Sequence, residues 1–147
     1  MRLRREDDGY RLDLGREERA LLRRLAAELR DGVEEQAGDP SLQRLFPAAY
    51  EDDDDAAEFD RLVRPTLVEA KREALATLER TASADRLTPG ELEAWVAALN
   101  DLRLVLGTRL DVTEEMDERR WREPGVALYG WLTWVQGTAI EALAAEL

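Results

Sequence analysis

The sequence has 147 residues, of which 33 are acidic and 21 basic, so its net charge is −12. Apolar residues make up 44% and charged residues 37%, which is typical of a soluble, folded chain and suits one domain over residues 1–147. The sequence contains no Cys and no His. These absences exclude disulfides, thiol nucleophiles, ordinary zinc sites and catalytic triads that use His.

The charge is unevenly distributed along the chain. Residues 1–30 contain nine Arg and seven acids, whereas residues 31–60 contain one Arg and eleven acids. Because duplex binding depends on neutralising phosphates, the acidic excess disfavours DNA. The chain has no apolar run long enough to span a membrane and no signal-peptide pattern at its start. We therefore expect a cytoplasmic protein without a membrane partner.

The first residues predict a short β-hairpin over residues 2–14. Asp8-Gly9 is a signal for a type I′ turn. After it, Tyr10, Leu12 and Leu14 alternate with charged residues, as in a strand with one buried face. A lone hairpin is marginal in water, so this one must pack against a helix.

Helical periodicity predicts about five helices in residues 16–147. They are residues 16–33, 54–63, 65–81, 88–107 and a last helix that begins at Glu123-Pro124. Asp31-Gly32 and Gly38-Asp39-Pro40 end the first helix, and Pro65 separates the second from the third. Apolar residues in the connection 34–53 indicate that it is held against the rest of the protein: Leu42, Leu45, Phe46 and Tyr50.

Inward-facing stripes follow from the same spacing. In the third helix we expect Leu67, Ala70, Ala74, Leu75 and Leu78 to face inward.

The clearest helix start is Thr88-Pro89-Gly90-Glu91, which combines an N-cap Thr with Pro and a capping-box Glu. The apolar stripe that follows is Leu92, Trp95, Leu99, Leu102 and Leu106, and Gly107 marks the predicted end. A short turn is predicted at residues 113–116, and the last helix carries Leu128, Leu132, Val135, Ala139 and Leu143. The sequence therefore predicts a mainly α protein, a single helical bundle with a short N-terminal hairpin.

Polar residues interrupt an apolar stretch at Asn100, Asp101, Arg103 and Arg109. If Asp101 or Asn100 is buried, it needs a donor such as Arg103 or Arg109. We favour a structural polar network here, with a site for a protein partner as the alternative.

Two tryptophans lie three positions apart on the last helix, Trp131 and Trp134. Aromatic anchors are enriched at interfaces, but this helix is apolar over a wide arc, which favours burial in the core. We therefore predict that both tryptophans are buried in the core, and the alternative is that they bind a partner.

Three arginines in the first helix, Arg16, Arg19 and Arg23, are spaced about one helical turn apart. They could contact phosphates of nucleic acid, although neighbouring glutamates can neutralise them. A mixed charged surface is the favoured interpretation, and direct DNA contact is the alternative.

Carboxylates cluster at Glu51–Asp55 and pair at Glu69/Glu73 and Glu115/Glu118. The run lacks the spacing of a calcium loop and is suited to a helix start. The pairs lack the matched facing partners that a two-metal bundle needs. We predict surface charge here and no metal site.

Lys71 is the only lysine. No phosphate-binding glycine loop accompanies it, so a solvated helix lysine is favoured over a catalytic one. We predict no catalytic residue, no cofactor and no enzymatic activity.

Three segments carry a family resemblance: Leu45-Phe-Pro-Ala-Ala-Tyr50, Leu99-Asn-Asp-Leu-Arg-Leu-Val-Leu-Gly-Thr-Arg-Leu110 and Tyr129-Gly-Trp-Leu-Thr-Trp134. With them the chain resembles, over nearly its whole length, the AosR family of oxidative-stress regulators from high-GC Gram-positive bacteria, long catalogued as a domain of unknown function. The resemblance implies a transcription-linked regulator with a thiol-based response. This sequence has no Cys, so we expect no disulfide switch in this member.

The leading hypothesis is a regulator that acts through protein contacts, with a sigma factor or another part of the transcription apparatus as partner. The first alternative is direct DNA binding through the Arg-rich start. The second, which the resemblance implies through gene neighbourhood, is an adaptor of the Clp protease. A homodimer also remains open.

Overall fold

The computed structural model describes residues 1–35, 42, 45–46 and 53–145, and the fold there is mainly helical, as predicted. The elements in chain order are β1 (Arg2–Glu6), β2 (Gly9–Asp13), α1 (Arg16–Glu35), α2 (Asp53–Thr81), β3 (Arg86–Leu87), α3 (Pro89–Leu110), a 3-10 helix (Glu118–Arg122) and α4 (Pro124–Ala144). Helix α3 packs against both α2 and α4, and α1 packs against α2. The described part of the chain therefore has four α-helices rather than five.

The N-terminal hairpin is confirmed, and it belongs to a three-stranded antiparallel sheet of order β1-β2-β3. Tyr10, Leu12 and Leu14 are buried, as their alternation predicts. The third strand was not predicted, because a strand of two residues has too few positions to show any periodicity. It joins the hairpin to the connection between α2 and α3.

The position of the hairpin turn was predicted wrongly. Glu6 pairs with Gly9, so the turn residues are Asp7 and Asp8, with Asp7 in the left-handed region at φ 52°. Aspartate tolerates that conformation better than most residues do. Gly9 has a different role, because a Cβ there would lie 2.6 Å from the carbonyl oxygen of Leu87. The glycine allows β3 to approach β2.

Helix α1 continues past its predicted end to Glu35. Its buried residues, Leu22, Ala26, Leu29 and Val33, recur every three or four positions. Burial of Val33 on this stripe offsets the helix cost of the preceding Gly32. The second predicted break, at residues 38–40, lies outside the described residues.

Helix α2 is continuous through Pro65, so the predicted division into two helices is wrong. Proline removes one backbone donor and disfavours the helix locally, but the helix continues on both sides of it. The inward prediction holds for Leu75 and Leu78, whereas Leu67 and Ala70 are exposed. Among the residues of α2 whose burial the structure describes, those fully buried in the core therefore lie in the C-terminal half of the helix.

Helix α3 begins as predicted. Thr88 Oγ1 accepts from the amide of Glu91, and the Glu91 carboxylate accepts from the amide of Thr88 at 2.8 Å. The predicted end at Gly107 is wrong: the helix reaches Leu110, and Asp111 caps it in the left-handed conformation. Gly107 instead makes room for a neighbouring helix, since a Cβ there would lie 3.1 Å from the ring of Tyr129.

The core lies between the sheet and the helices. Trp95 is fully buried, and its Nε1 donates to Thr81 Oγ1 at 2.6 Å, which joins α3 to the end of α2. On α4, which begins as predicted, Leu132, Val135 and Ala139 are buried. No helix in the described ranges is long and apolar enough to cross a membrane.

Candidate functional site

A buried carboxylate on α3 pairs with an ammonium group on α2. The Asp101 side chain is 5% exposed, and Lys71 Nζ lies 3.0 Å from its Oδ1 and 3.3 Å from its Oδ2. Burial raises the pKa of Asp101, and the positive charge of Lys71 opposes that rise. The expected donors, Arg103 and Arg109, do not fill this role. Lys71 is less solvated than expected, because packing of α2 on α3 places it beside the acid and leaves its side chain 22% exposed.

The connection before α2 contacts the same region. Leu42 and Leu45 are buried, as expected for a connection held against the protein. The Phe46 ring centroid lies 4.7 Å from Arg64 Cζ and 5.9 Å from Lys71 Nζ. These are cation–π distances, so Phe46 fixes this part of the connection to α2. The predicted contact of Tyr50 lies outside the described residues.

Arg103 joins α3 to α4. Its guanidinium donates to Thr133 Oγ1 at 2.9 Å and to Gln136 Oε1 at 2.6 Å. It also lies 5.4 Å from the ring centroid of Tyr129, and Gln136 Nε2 donates onward to the carbonyl of Val96 at 3.2 Å. Arg103 therefore belongs to a polar network between α3 and α4, and not to the predicted one within its own segment, which would have bonded it to Asp101 or Asn100.

The other two residues of that segment are at the surface. Asn100 and Arg109 are exposed. Arg109 lies at an apolar cleft of about 80 Å³ between α1, α3 and α4. The cleft is lined mainly by Leu25, Leu29, Leu42, Leu102, Val105, Leu106 and Leu132. Of the four predicted polar residues, Asp101 and Arg103 thus join helices, and Asn100 and Arg109 lie at the surface.

The two predicted tryptophans have different environments. Trp131 is partly buried, and its Nε1 donates to Glu18 Oε2 at 3.1 Å, which links α4 to α1. Trp134 is 50% exposed. A third tryptophan, Trp121 on the 3-10 helix, is 46% exposed and lies against Gly130. Trp121 was not predicted as a candidate residue, because its short helix has no apolar stripe.

The predicted arginines border an open groove of about 760 Å³ between the sheet, α1 and the turn after α2. We call it the basic groove, and its lining residues are Arg4, Arg11, Leu12, Asp13, Leu14, Arg16, Arg19, Arg23, Ser83 and Asp85. Arg16 and Arg23 are exposed in it. The helical spacing of the arginines thus places all three in one groove.

Arg19 forms the floor of the basic groove. Its guanidinium donates to four backbone carbonyls, those of Leu12, Leu14, Ala82 and Ala84, at 2.6–3.2 Å. The side chain is 17% exposed. Arg19 therefore holds the hairpin, α1 and the turn after α2 together.

The carboxylate pairs are on the surface. Glu69 and Glu73 are exposed, and Glu69 pairs with Arg72 at 3.2 Å. Glu115 and Glu118 are also exposed. Within the ranges that the structure describes, no cluster of three or more acids could hold a metal ion. In the acidic run Glu51–Asp55, Asp54 and Asp55 are exposed in the first turn of α2. Residues 51–52 lie outside the part of the chain that the structure describes.

Comparison with known proteins gives the family. A family model described as a domain of unknown function (DUF2017) matches residues 1–143. The oxidative stress regulator AosR of Mycobacterium tuberculosis (strain ATCC 25618 / H37Rv) is 34% identical over 74% of this chain and 60% of its own length. The putative oxidative stress regulator AosR of Mycobacterium leprae (strain TN) is 34% identical over 80% of this chain and 64% of its own length. No solved structure matches the chain.

The chain therefore spans less than two thirds of the length of these curated relatives. The predicted resemblance to the AosR family is confirmed by the 34% identity of these relatives to the chain. The chain belongs to the family described as a domain of unknown function (DUF2017), together with relatives that are named oxidative stress regulators.

Proposed function

We propose that this chain is a non-enzymatic regulatory protein of the oxidative stress response that acts through contacts with another protein. The observation that carries the proposal is its 34% identity to proteins named oxidative stress regulator AosR. The partner we propose is a component of the transcription apparatus, such as a sigma factor. Direct DNA binding is disfavoured by the net charge of −12.

Helix α4 offers a contact surface for such a partner. Trp134 and Ile140 are 50% and 46% exposed. Glu141 is the only charged residue of α4, in a chain with 37% charged residues. Exposed aromatic side chains are frequent anchors of interfaces. Trp134 is therefore the residue on which we expect partner binding to depend.

The proposed regulation does not use a disulfide within these 147 residues. The sequence has no Cys, and a disulfide needs two thiols. A redox signal must then enter through the partner or through protein outside this sequence.

Affinity capture from native lysate, followed by mass spectrometry, tests the proposal. The unaltered chain should recover a transcription protein, and Trp134→Ala should reduce that recovery at least tenfold. Trp121→Ala, which removes a similarly exposed tryptophan, is the matched control and should retain recovery. If no transcription protein is recovered from either oxidised or reduced lysate, the proposal is wrong.

A further inference from the structure

The outer face of the sheet carries a row of three arginines. The strand register places Arg4 opposite Arg11 and Arg11 opposite Arg86. Like charges directly opposite each other destabilise a sheet. Glu6 offsets part of this repulsion, with Oε1 at 3.4 Å from Arg11 Nε and Oε2 at 3.7 Å from Arg86 Nη1. In the described part of the chain, Arg4 forms no ion pair.

The arginine row continues into the basic groove. Arg16 and Arg23 of α1 are exposed there, and neither forms an ion pair with any residue that the structure describes. The groove lining contains five arginines and two aspartates, a net charge of +3. Removing that +3 from the total of −12 leaves −15 on the rest of the chain. The groove is thus a confined positive region on a strongly acidic protein.

The floor of the groove keeps its positive charge. Arg19 donates to neutral carbonyls, which satisfy its N–H groups without cancelling its charge. Among the residues that the structure describes, the one acid that pairs with Arg19 is Asp85, whose Oδ1 lies 3.6 Å from Arg19 Nη2 and whose side chain is 84% exposed. Ion pairs of exposed groups are weak in water. An anion in the groove would therefore meet the partly buried guanidinium of Arg19 below it and the exposed Arg16 and Arg23 beside it.

We infer that the basic groove binds a short acidic segment of a protein partner. Arginine guanidinium groups bind carboxylates with paired, charge-assisted hydrogen bonds. A short segment can lie within the groove, whereas an extended duplex would also meet other parts of a chain whose formal net charge outside the groove is −15. The inference rests on the proposed function, since it names the surface and the chemistry of the partner.

Fluorescence anisotropy with a labelled twelve-residue oligo-glutamate peptide tests the inference directly. The unaltered chain should bind the peptide, and binding should weaken as NaCl rises, because salt screens exposed charges. Arg16→Glu combined with Arg23→Glu should weaken binding at least tenfold. Arg24→Glu is the control. It reverses the charge at the position next to Arg23 but outside the groove, and it should change binding less than threefold.

Three results would overturn the inference. They are absence of peptide binding at low salt, weakening by Arg24→Glu as large as that by the Arg16→Glu/Arg23→Glu double variant, and tighter binding of a labelled twenty-base-pair DNA duplex at the same salt. The last result would assign the groove to nucleic acid. If the double variant unfolds in circular dichroism, Arg16→Gln with Arg23→Gln removes the charges without reversing them and should still weaken binding at least threefold.

Affinity capture separates this inference from the proposed function. If the Arg16→Glu/Arg23→Glu variant stays folded and still recovers the transcription protein, the groove assignment is wrong and the proposed function stands. If neither the unaltered chain nor the variant recovers one while the peptide still binds, the proposed function is wrong.

Discussion

Lys71 Nζ lies 3.0 Å from Oδ1 of Asp101, and this contact joins two helices across thirty residues of sequence. The carboxylate is almost fully buried, whereas the lysine side chain keeps 22% of its surface. The ammonium group can therefore remain partly hydrated while it compensates a buried charge. This asymmetry lowers the cost of keeping an acid inside the helical core.

Lys71→Met should destabilise the protein by about 2 kcal/mol, because it leaves Asp101 buried without its cation. Urea unfolding measures the change in the free energy of unfolding. Arg72→Met, at the neighbouring exposed position, is the control and should change it by about 0.5 kcal/mol or less. Adding Asp101→Leu to Lys71→Met should recover part of the loss, and a purely additive double variant would contradict a coupled pair.

The carboxyl groups of Asp101 and Glu91 should make the stability of the protein depend on pH in opposite directions. The pKa of Asp101 is raised above its ordinary 3.8, so the folded state binds this proton more tightly. Relative to Asp101→Asn, the unaltered protein should therefore gain stability as pH falls from neutral through the raised pKa, and the gain should level off below 3.8.

The pKa of Glu91 is lowered from 4.5, chiefly because its carboxylate accepts from the Thr88 amide. Relative to Glu91→Gln, the unaltered protein should be more stable above pH 4.5 and should lose that advantage as pH falls through the lowered pKa. Thermal unfolding between about pH 3 and about pH 7, a range that includes the ordinary pKa values of Asp and Glu, checks both signs. If the stability difference from Asp101→Asn and the stability difference from Glu91→Gln change with pH in the same direction, the opposite pKa shifts of the two residues are contradicted.

Alanine should have opposite effects at two glycines. Gly9→Ala should destabilise the protein by about 1–3 kcal/mol, because the added Cβ would lie 2.6 Å from a backbone oxygen of Leu87. Gly32→Ala should stabilise it by about 0.5–1 kcal/mol, since alanine favours helix. The nearest atom to a Cβ at Gly32 is Leu42 Cδ1 at 3.9 Å. Calorimetry measures both, and destabilisation by Gly32→Ala would show that α1 is not helical there.

Arg19→Gln should destabilise the protein by about 2–3 kcal/mol, because it leaves buried carbonyls without their donor. Arg23→Gln, one helical turn away, should have an effect of about 0.5 kcal/mol or less. Chemical unfolding of both variants distinguishes the structural role of Arg19 from that of the exposed Arg23. Equal effects would mean that the carbonyl contacts of Arg19 do not hold the sheet in place.

The features predicted from sequence are those with local causes. The hairpin follows from alternation at Tyr10, Leu12 and Leu14, and the start of α3 follows from Thr88 and Glu91, whose side chains bond within one turn. Such signals need no knowledge of distant residues.

The errors have tertiary causes. Gly9 resembles a turn residue, but the strand β3, far along the chain, determines its role. The partner of Asp101 lies thirty positions away on another helix, where no spacing rule applies. For the candidate site, helical spacing indicated that Arg16, Arg19 and Arg23 share one surface, and they line one groove. It could not show that Arg19 donates to backbone carbonyls while Arg16 and Arg23 form no ion pair in the described structure.

The contacts of Arg19 also bear on the order of folding. Its guanidinium reaches the carbonyl of Ala84, 65 positions away, and the amide of Leu12 donates to the carbonyl of Asp85 at 2.7 Å. Contacts between such distant residues form slowly, because a long loop must close first. We therefore expect the hairpin to reach its final position only after α2 has brought its C-terminal turn to α1, and the Leu12 amide to become protected from exchange in that late step.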